Sequence, residues 1–338
     1  MTYFGLSVSD KIDALEAAAT SLGRPADLLE KDIWVVWALD ALFDSPIGEH
    51  LVFKGGTSLS KAYRAIDRFS EDVDLTYDIR EIIPELIDDP DNPYPSSRSQ
   101  ARKWTDIVRA RLAEWIENQP FQILSGKIEE VGVDAKLKLE DDNIVLEYEA
   151  VRNGTGYVRP AVLLEFGARS TGEPAEHRKI VCDISEALPD LLTPIAHPRV
   201  MRAERTFWEK ATAIHAYCLR GAFRGGDRYA RHWYDLDCLD RAGIAATAIS
   251  DRSLALDVGT HKRHFFREND KLGNVIDYAK AVSGSLSLIP SGEARKALAH
   301  DYQQMIDAGL LQVDAVNFEL MMDRLSILQE RINSGSTK

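Results

Sequence analysis

The stretch from Leu51 to Tyr77 constrains the fold more than any other part of the chain. His50-Leu51-Val52-Phe53 is a short apolar strand candidate that runs directly into Lys54-Gly55-Gly56-Thr57-Ser58. Leu59, Ala62, Tyr63 and Ile66 then fall at three- and four-residue spacing, the period of a helix. After Phe69-Ser70-Glu71, the residues Val73, Leu75 and Tyr77 alternate with Asp72, Asp74 and Thr76, the period of a half-buried strand. The order is strand, glycine turn, helix, strand, and it places two carboxylates on one strand face.

The flanking sequence extends this pattern to an α+β chain. Residues 11–22 and 26–43 carry apolar side chains at helical spacing, with Gly23-Arg24-Pro25 between them. Residues 102–118 read as a further helix, and residues 121–124, 135–139, 144–148 and 161–166 as strands, with Asp141-Asp142-Asn143 as a hairpin turn. Pro84, Pro90, Pro93 and Pro95 mark an exposed insertion that neither a helix nor a central strand would accept. Beyond Arg199 the strand signals fade, and residues 200–219, 233–242, 294–307 and 318–332 read as helices, with a frayed polar end from Asn333 to Lys338. The expected division is residues 1–44 as helices packed on the core, 45–192 as an α/β domain with a mixed sheet and flanking helices, and 193–335 as a mostly helical domain. No fixed-period repeat is present.

Charge restricts the partners. With 54 acidic residues against 41 Lys and Arg, the 338-residue chain carries a formal net charge of −13 and repels polyanions in the far field. A DNA-coating role is thereby excluded, while a local site for a nucleotide or an RNA end is not. No apolar run approaches the ~20 residues of a membrane-spanning helix. The N-terminus lacks a basic start and apolar stretch, so a cytoplasmic protein is expected. Cys182, Cys218 and Cys238 form no C-x-x-C pair and read as reduced, partly buried thiols.

Glycines between a strand and a helix let the backbone pass close to a phosphate. Asp72 and Asp74 supply hard oxygen donors for a divalent cation. Taken singly, Gly-Gly is an ordinary tight turn and Asp-x-Asp an ordinary solvated face. In this order together they point to an NTP and a metal. No G-x-S-x-G, H-E-x-x-H or Walker motif offers another chemistry.

The run Phe53-Lys54-Gly55-Gly56-Thr57-Ser58-Leu59-Ser60-Lys61-Ala62-Tyr63, followed by Arg68-Phe69-Ser70-Glu71-Asp72-Val73-Asp74-Leu75, resembles the nucleotidyltransferase toxins of the AbiEii/AbiGii group. These are relatives of the MenT toxins within the DNA polymerase β-like nucleotidyltransferase superfamily. A second similar block is Arg205-Thr206-Phe207-Trp208-Glu209-Lys210 with Arg231-His232-Trp233-Tyr234-Asp235-Leu236-Asp237-Cys238-Leu239. The resemblance implies a polymerase β-like fold and a Mg²⁺- or Mn²⁺-dependent nucleotidyltransferase toxin of a toxin–antitoxin or abortive-infection system. Its acceptor would be RNA, the tRNA 3′ end, and its partner an antitoxin. Asp72 and Asp74 would be catalytic metal ligands, Lys210 a phosphate contact, and Asp235 an active-site acid. Lys54, Gly55, Gly56, Thr57 and Ser58 would form the nucleotide seat. The interval from Gly56 to Asp72 exceeds the common superfamily one and leaves Gly56, Thr57 and Ser58 as alternative phosphate contacts.

The third carboxylate that the resemblance implies has its best candidate in Glu165, an acid embedded in an apolar strand, as catalytic residue and metal ligand. An ion pair with Arg169 is the other reading, and Glu147 and Glu149 are weaker candidates. His232 is either a general base or nucleotide-phosphate ligand, or a structural histidine. Phe207, Ala211 and Ile214 can pack inward in a helix, so Arg205 and Lys210 need not lie on the core. Lys61, Arg64 and Arg68, the stretch 220–231, and Lys262-Arg263-His264-Phe265-Phe266-Arg267 are modest basic clusters. The last is either a seat for an unstacked RNA end or a loop anchored by its phenylalanines. Two rival functions remain: a nucleotidyltransferase acting on a protein or small molecule, and a non-catalytic NTP-binding module.

Overall fold

Helix α1 (Val8–Leu22) begins where the Ser7 hydroxyl accepts from the Asp10 amide at 3.2 Å, and ends at Gly23, whose φ of 65° lies in the left-handed region. Pro25 precedes α2 (Ala26–Phe43), which is buried nearly all round rather than along one stripe. The structure, a computed structural model, describes residues 2–70, 72–151, 159–221, 228–311 and 316–335.

The chain continues through β1 (Leu51–Lys54), α3 (Gly55–Lys61), β2 (Asp72–Asp78), α4 (Ile79–Ile82), α5 (Arg98–Asn118) and α6 (Pro120–Val131). Then follow β3 (Ala135–Glu140), β4 (Asn143–Tyr148), β5 (Ala161–Ser170), β6 (Ala175–His177), β7 (Ile180–Val181), α7 (Ile184–Ala187), β8 (Ile195–Ala196) and β9 (Arg199–Met201). Seven strands form a mixed sheet in the order β3-β4-β5-β2-β1-β9-β6, and β7 pairs with β8 separately. At its centre β2 runs antiparallel to β1 and parallel to β5. The α+β class expected from the sequence is the class observed.

Two units make up the chain. The first comprises Met1–Ala62, Glu71–Pro93 and Asp106–Met201 and holds the sheet. The second comprises Tyr63–Ser70, Tyr94–Thr105 and Arg202–Lys338. It contains α8 (Ala203–Arg220), α9 (Ala230–Arg241), α10 (Ile244–Ser250), α11 (Arg252–Phe265), α12 (Tyr278–Lys280), α13 (Gly292–Asp307) and α14 (Phe318–Ser334). Its core gathers Phe207, Trp208, Trp233 and Leu236 without solvent exposure. The indole N–H groups of Trp208 and Trp233 donate to the Ala248 and Leu288 carbonyls at 3.0 and 2.8 Å, so neither large side chain buries an orphan donor.

Several local expectations are corrected. Residues 121–124, read as a strand, lie in α6, where Pro120 occupies the first turn and Leu124 is the buried position. A run of four residues with three apolar ones, Phe121, Ile123 and Leu124, carries too little periodicity to separate the two states. Val200 does not open a helix: β9 pairs with β1 at Phe53 and with β6, and the helix starts at Ala203. The proline segment is exposed around residues 88–92, but Pro93 and Pro95 are buried and the Tyr94 hydroxyl donates to Asp257 at 2.7 Å. Asn333 is no frayed end, since its side chain accepts from the Leu286 amide at 2.8 Å and donates to the Leu286 carbonyl at 3.0 Å. Residues 336–338, and the part of the 220–231 basic stretch at 222–227, lie outside the described residues. Among the described residues, no helix is long and apolar enough to cross a membrane.

On α2 the Glu30 carboxylate is buried at 2% exposure and accepts from the Val151 amide at 3.1 Å. Burial pushes its pKa from 4.5 up to about 7, with Asp27 adding in the same direction against the Val151 amide and Lys11. A carboxyl raised in the folded state stabilises the fold fully below its unfolded pKa, and that contribution is lost as pH rises from 4.5 to about 7. Glu30→Gln should therefore stabilise the protein at pH 8 by on the order of 2 kcal/mol and leave it unchanged at about pH 4, below the unfolded pKa. Thermal unfolding at the two pH values reads this, and an equal effect at both would contradict it.

Candidate active site

The end of β1 brings a glycine and a carboxylate into direct contact. Lys54 is the register partner of Asp74 on β2, and Gly55 follows at once with a φ of 75°. A Cβ built on Gly55 would lie 2.6 Å from the Asp74 Cγ and closer still to Oδ2. Gly55 is thus required twice, by a backbone conformation that L side chains rarely adopt and by the space the carboxylate occupies. The rest of α3 is held to the same strand: the Thr57 hydroxyl donates to the Asp72 carbonyl, and the Ser58 hydroxyl donates to the Gly55 carbonyl at 2.9 Å. Thr57 and Ser58 are 3% and 0% exposed and Gly56 is buried, so these three pin the turn from inside.

Asp72 and Asp74 are both half-buried and flank Val73, which is fully buried on the opposite face. Glu165 is the register partner of Asp74 across the parallel β2–β5 pair and of Asn143 across β4–β5. Lys54, Asp74, Glu165 and Asn143 therefore form one polar row across four strands, each of them half-buried. Glu147 is held by Lys138 at 2.6 Å and by Arg159, and Glu149 is exposed. Among the described residues, no three His, Cys, Asp or Glu side chains come together as a metal-holding group. The chain offers strand carboxylates rather than a closed cage. That donor set suits Mg²⁺, which keeps several waters and is bound through one or two carboxylates plus substrate phosphates.

The second set of expected residues lies in the second unit. Lys210 on α8 and Asp235 on α9 meet at 2.8 Å, and both are buried, at 8% and 0% exposure. Arg68 completes the group with a two-pronged contact, Nε to Oδ1 at 2.6 Å and Nη2 to Oδ2 at 2.8 Å. Burial pushes the Asp235 carboxyl up, but the Arg68 guanidinium and the Lys210 ammonium outweigh it and hold the carboxyl well below the usual range. His232 is shifted down too, but with the opposite consequence for charge: burial, then Lys210 and Arg231, push it well below its ordinary value and leave it neutral. Among the described residues its buried Nδ1 has no hydrogen-bond partner.

Basic residues of both units lie deeper than their charge alone suggests. Arg205 and Lys210, which need not have lain on the core, are both buried, because α8 is enclosed on most sides and each cation meets a carboxylate, which Lys210 shares with Arg68. Arg205 pairs with Asp257 at 2.9 Å and Glu209 at 3.3 Å. Of the cluster Lys61, Arg64 and Arg68, the first and last are also internal. Lys61 at the end of α3 bridges Asp32 at 2.5 Å and Asp183 at 2.7 Å. Arg68 is the site residue that sequence reasoning missed as a partner. Its only signal was its place in the quoted motif, since nothing in spacing announces a contact with a residue 167 positions away. At the end of α11, Phe265 is buried while Phe266 is exposed under Lys262, and Tyr94 stacks on His264 with ring centroids 5.5 Å apart.

Residues 37–324 match a family model described as "Nucleotidyl transferase AbiEii toxin, Type IV TA system". No curated protein matches the chain in sequence. Among solved structures the chain is similar to MenT4, a nucleotidyltransferase toxin from Mycobacterium tuberculosis H37Rv, at 16% identity and a TM-score of 0.45, covering 99% of this chain and 90% of that one.

The fit of Gly55 against Asp74 makes a measurable claim. Gly55→Ala should lower stability by ~1–2 kcal/mol from the left-handed backbone alone, and further from the clash. In an Asp74→Ala background the clash partner is gone, so the second substitution should cost less than the first. Urea unfolding of the four proteins reads the cycle, and strict additivity would contradict the contact.

Proposed function

Because this chain belongs to the AbiEii family of nucleotidyl transferase toxins of type IV toxin–antitoxin systems, we propose that it moves a nucleoside monophosphate from an NTP onto an RNA hydroxyl. The acceptor is the 3′ end of a tRNA, the cation is Mg²⁺ or Mn²⁺, and the setting is cytoplasmic, as a growth-arresting response to phage. The NTP and a cognate antitoxin are the partners its family implies. The observation that carries the reading is the Asp74 carboxylate seated against Gly55 at the end of β1, with Asp72 on the same strand face.

In such a transfer the acceptor oxygen forms a bond to the α-phosphorus, the bond from that phosphorus to the bridging oxygen breaks, and pyrophosphate leaves. Asp72 and Asp74 are the residues that would hold the cation, which when bound neutralises charge on the phosphate oxygens. Lys54 and the Gly55-Gly56 backbone flank the nucleotide, while Thr57 and Ser58 hold the turn in shape through their carbonyl contacts. Glu165, in register with Asp74, takes the proton of the attacking hydroxyl. In the second unit Lys210, paired with Asp235, has the chemistry of a phosphate contact, and the neutral His232 offers a hydrogen bond rather than a charge. The aromatic and basic surface of Tyr94, His264 and Lys262 has the chemistry to take an unstacked nucleotide end.

Incubation with each α-labelled NTP and Mg²⁺, in the presence of total RNA or total protein, tests this. Label should enter RNA of tRNA size, and Asp74→Asn should reduce incorporation by about 100-fold or more. Label confined to protein would overturn the RNA acceptor, and growth arrest that survives Asp72→Ala would overturn catalysis as its cause.

A further inference from the structure

We propose that Arg68 is a positioning residue for the phosphate-binding lysine: through Asp235 it holds Lys210 in place and shares the carboxylate, so that Lys210 is not neutralised by a partner of its own. This rests on the reading of Lys210 as a phosphate contact. Arg68 engages both Asp235 oxygens, and Lys210 reaches Oδ2, which Arg68 already occupies. Two cations thus share one buried carboxylate. Without Arg68, Lys210 and Asp235 would form a neutral one-to-one pair, which has little reason to exchange its partner for a phosphate. His232 adds no charge of its own, since burial and its cationic neighbours keep it neutral.

The backbone prepares Arg68 for this task. The Phe69 amide donates to the Leu310 carbonyl at 2.8 Å, Arg68 bridges Leu311, and the Tyr234 hydroxyl donates to the Asp67 carbonyl at 3.3 Å. The guanidinium is therefore delivered from a segment tied down on both sides of it, one tie coming from the residue next to Asp235. A lysine in its place would return the charge but not the fork that spans both oxygens.

Calorimetric titration of the full-length protein with MgATP, MgGTP, MgCTP and MgUTP tests the inference on wild type, Lys210→Met, Arg68→Met, Arg68→Lys and the double variant Arg68→Met/Lys210→Met. For the NTP that binds best, Lys210→Met and Arg68→Met should each weaken binding by about tenfold or more. The double variant should bind no more weakly than Lys210→Met alone, because Arg68 acts through Lys210. Arg68→Lys should recover part of the affinity. If Arg68→Met does not fold, as judged by circular dichroism, Arg68→Lys in the two Lys210 backgrounds carries the same cycle. A Lys210→Met protein that binds like wild type, or a wild type that binds none of the four, overturns the phosphate reading itself. A weakened Lys210→Met with a fully additive Arg68 effect, or an Arg68→Met that binds like wild type, overturns only the positioning role.

Discussion

The contact between the Asp74 carboxylate and the Gly55 backbone sets the terms for the sheet half of this protein. β1 and β2 can pair with Lys54 opposite Asp74 only because the residue after Lys54 has no side chain. The pairing in turn aligns Asp74 with Glu165 on β5 and builds the polar row across the sheet. Thr57 and Ser58 close the arrangement from the helix side, each hydroxyl spent on a backbone carbonyl of the motif itself. The glycine is a steric requirement of the carboxylate, which gives the Gly-Gly and Asp-x-Asp elements one shared physical cause.

Buried charge is the second organising theme, and it recurs in both units. In the first, Lys61 is gripped by Asp32 and Asp183, and the Asp183 amide also donates to Asp32 at 2.7 Å, so the far end of α3 is tied to α2 and to the start of α7. In the second, Arg68, Lys210 and Asp235 form the corresponding group. Removing the shared member of such a set, Lys61 or Asp235, leaves uncompensated buried charges, which costs far more than the set gains over a well-packed apolar substitute. These networks therefore specify which parts meet more than they stabilise the fold.

Much of the first unit was legible in the sequence because its signals are local. The alternation of Val73 and Leu75 with Asp72 and Asp74, the glycine break at Gly23, and the Asp141-Asp142 turn each rest on neighbours within a few residues, and Asp141 duly adopts a φ of 51°. Residues 121–124 were misread because three apolar residues around Gln122 fit either period. The burial of Arg205, Lys210, Lys61 and Arg68 was not legible for a different reason: a long-range ion pair is a property of two distant segments, and charge alone argues for solvent. The units are also interleaved, with 63–70 and 94–105 grouped with the C-terminal helices, an arrangement that contiguous sequence windows do not express.

The central claim is that the β1–α3 turn and the β2 carboxylates form a divalent-cation seat, and manganese tests it most directly. In crystals grown with Mn²⁺ and a non-hydrolysable NTP analogue, anomalous scattering should place the metal on the Asp72 and Asp74 carboxylates, beside Gly55. Manganese bound elsewhere, or an analogue bound with no metal at these two aspartates, would contradict the account.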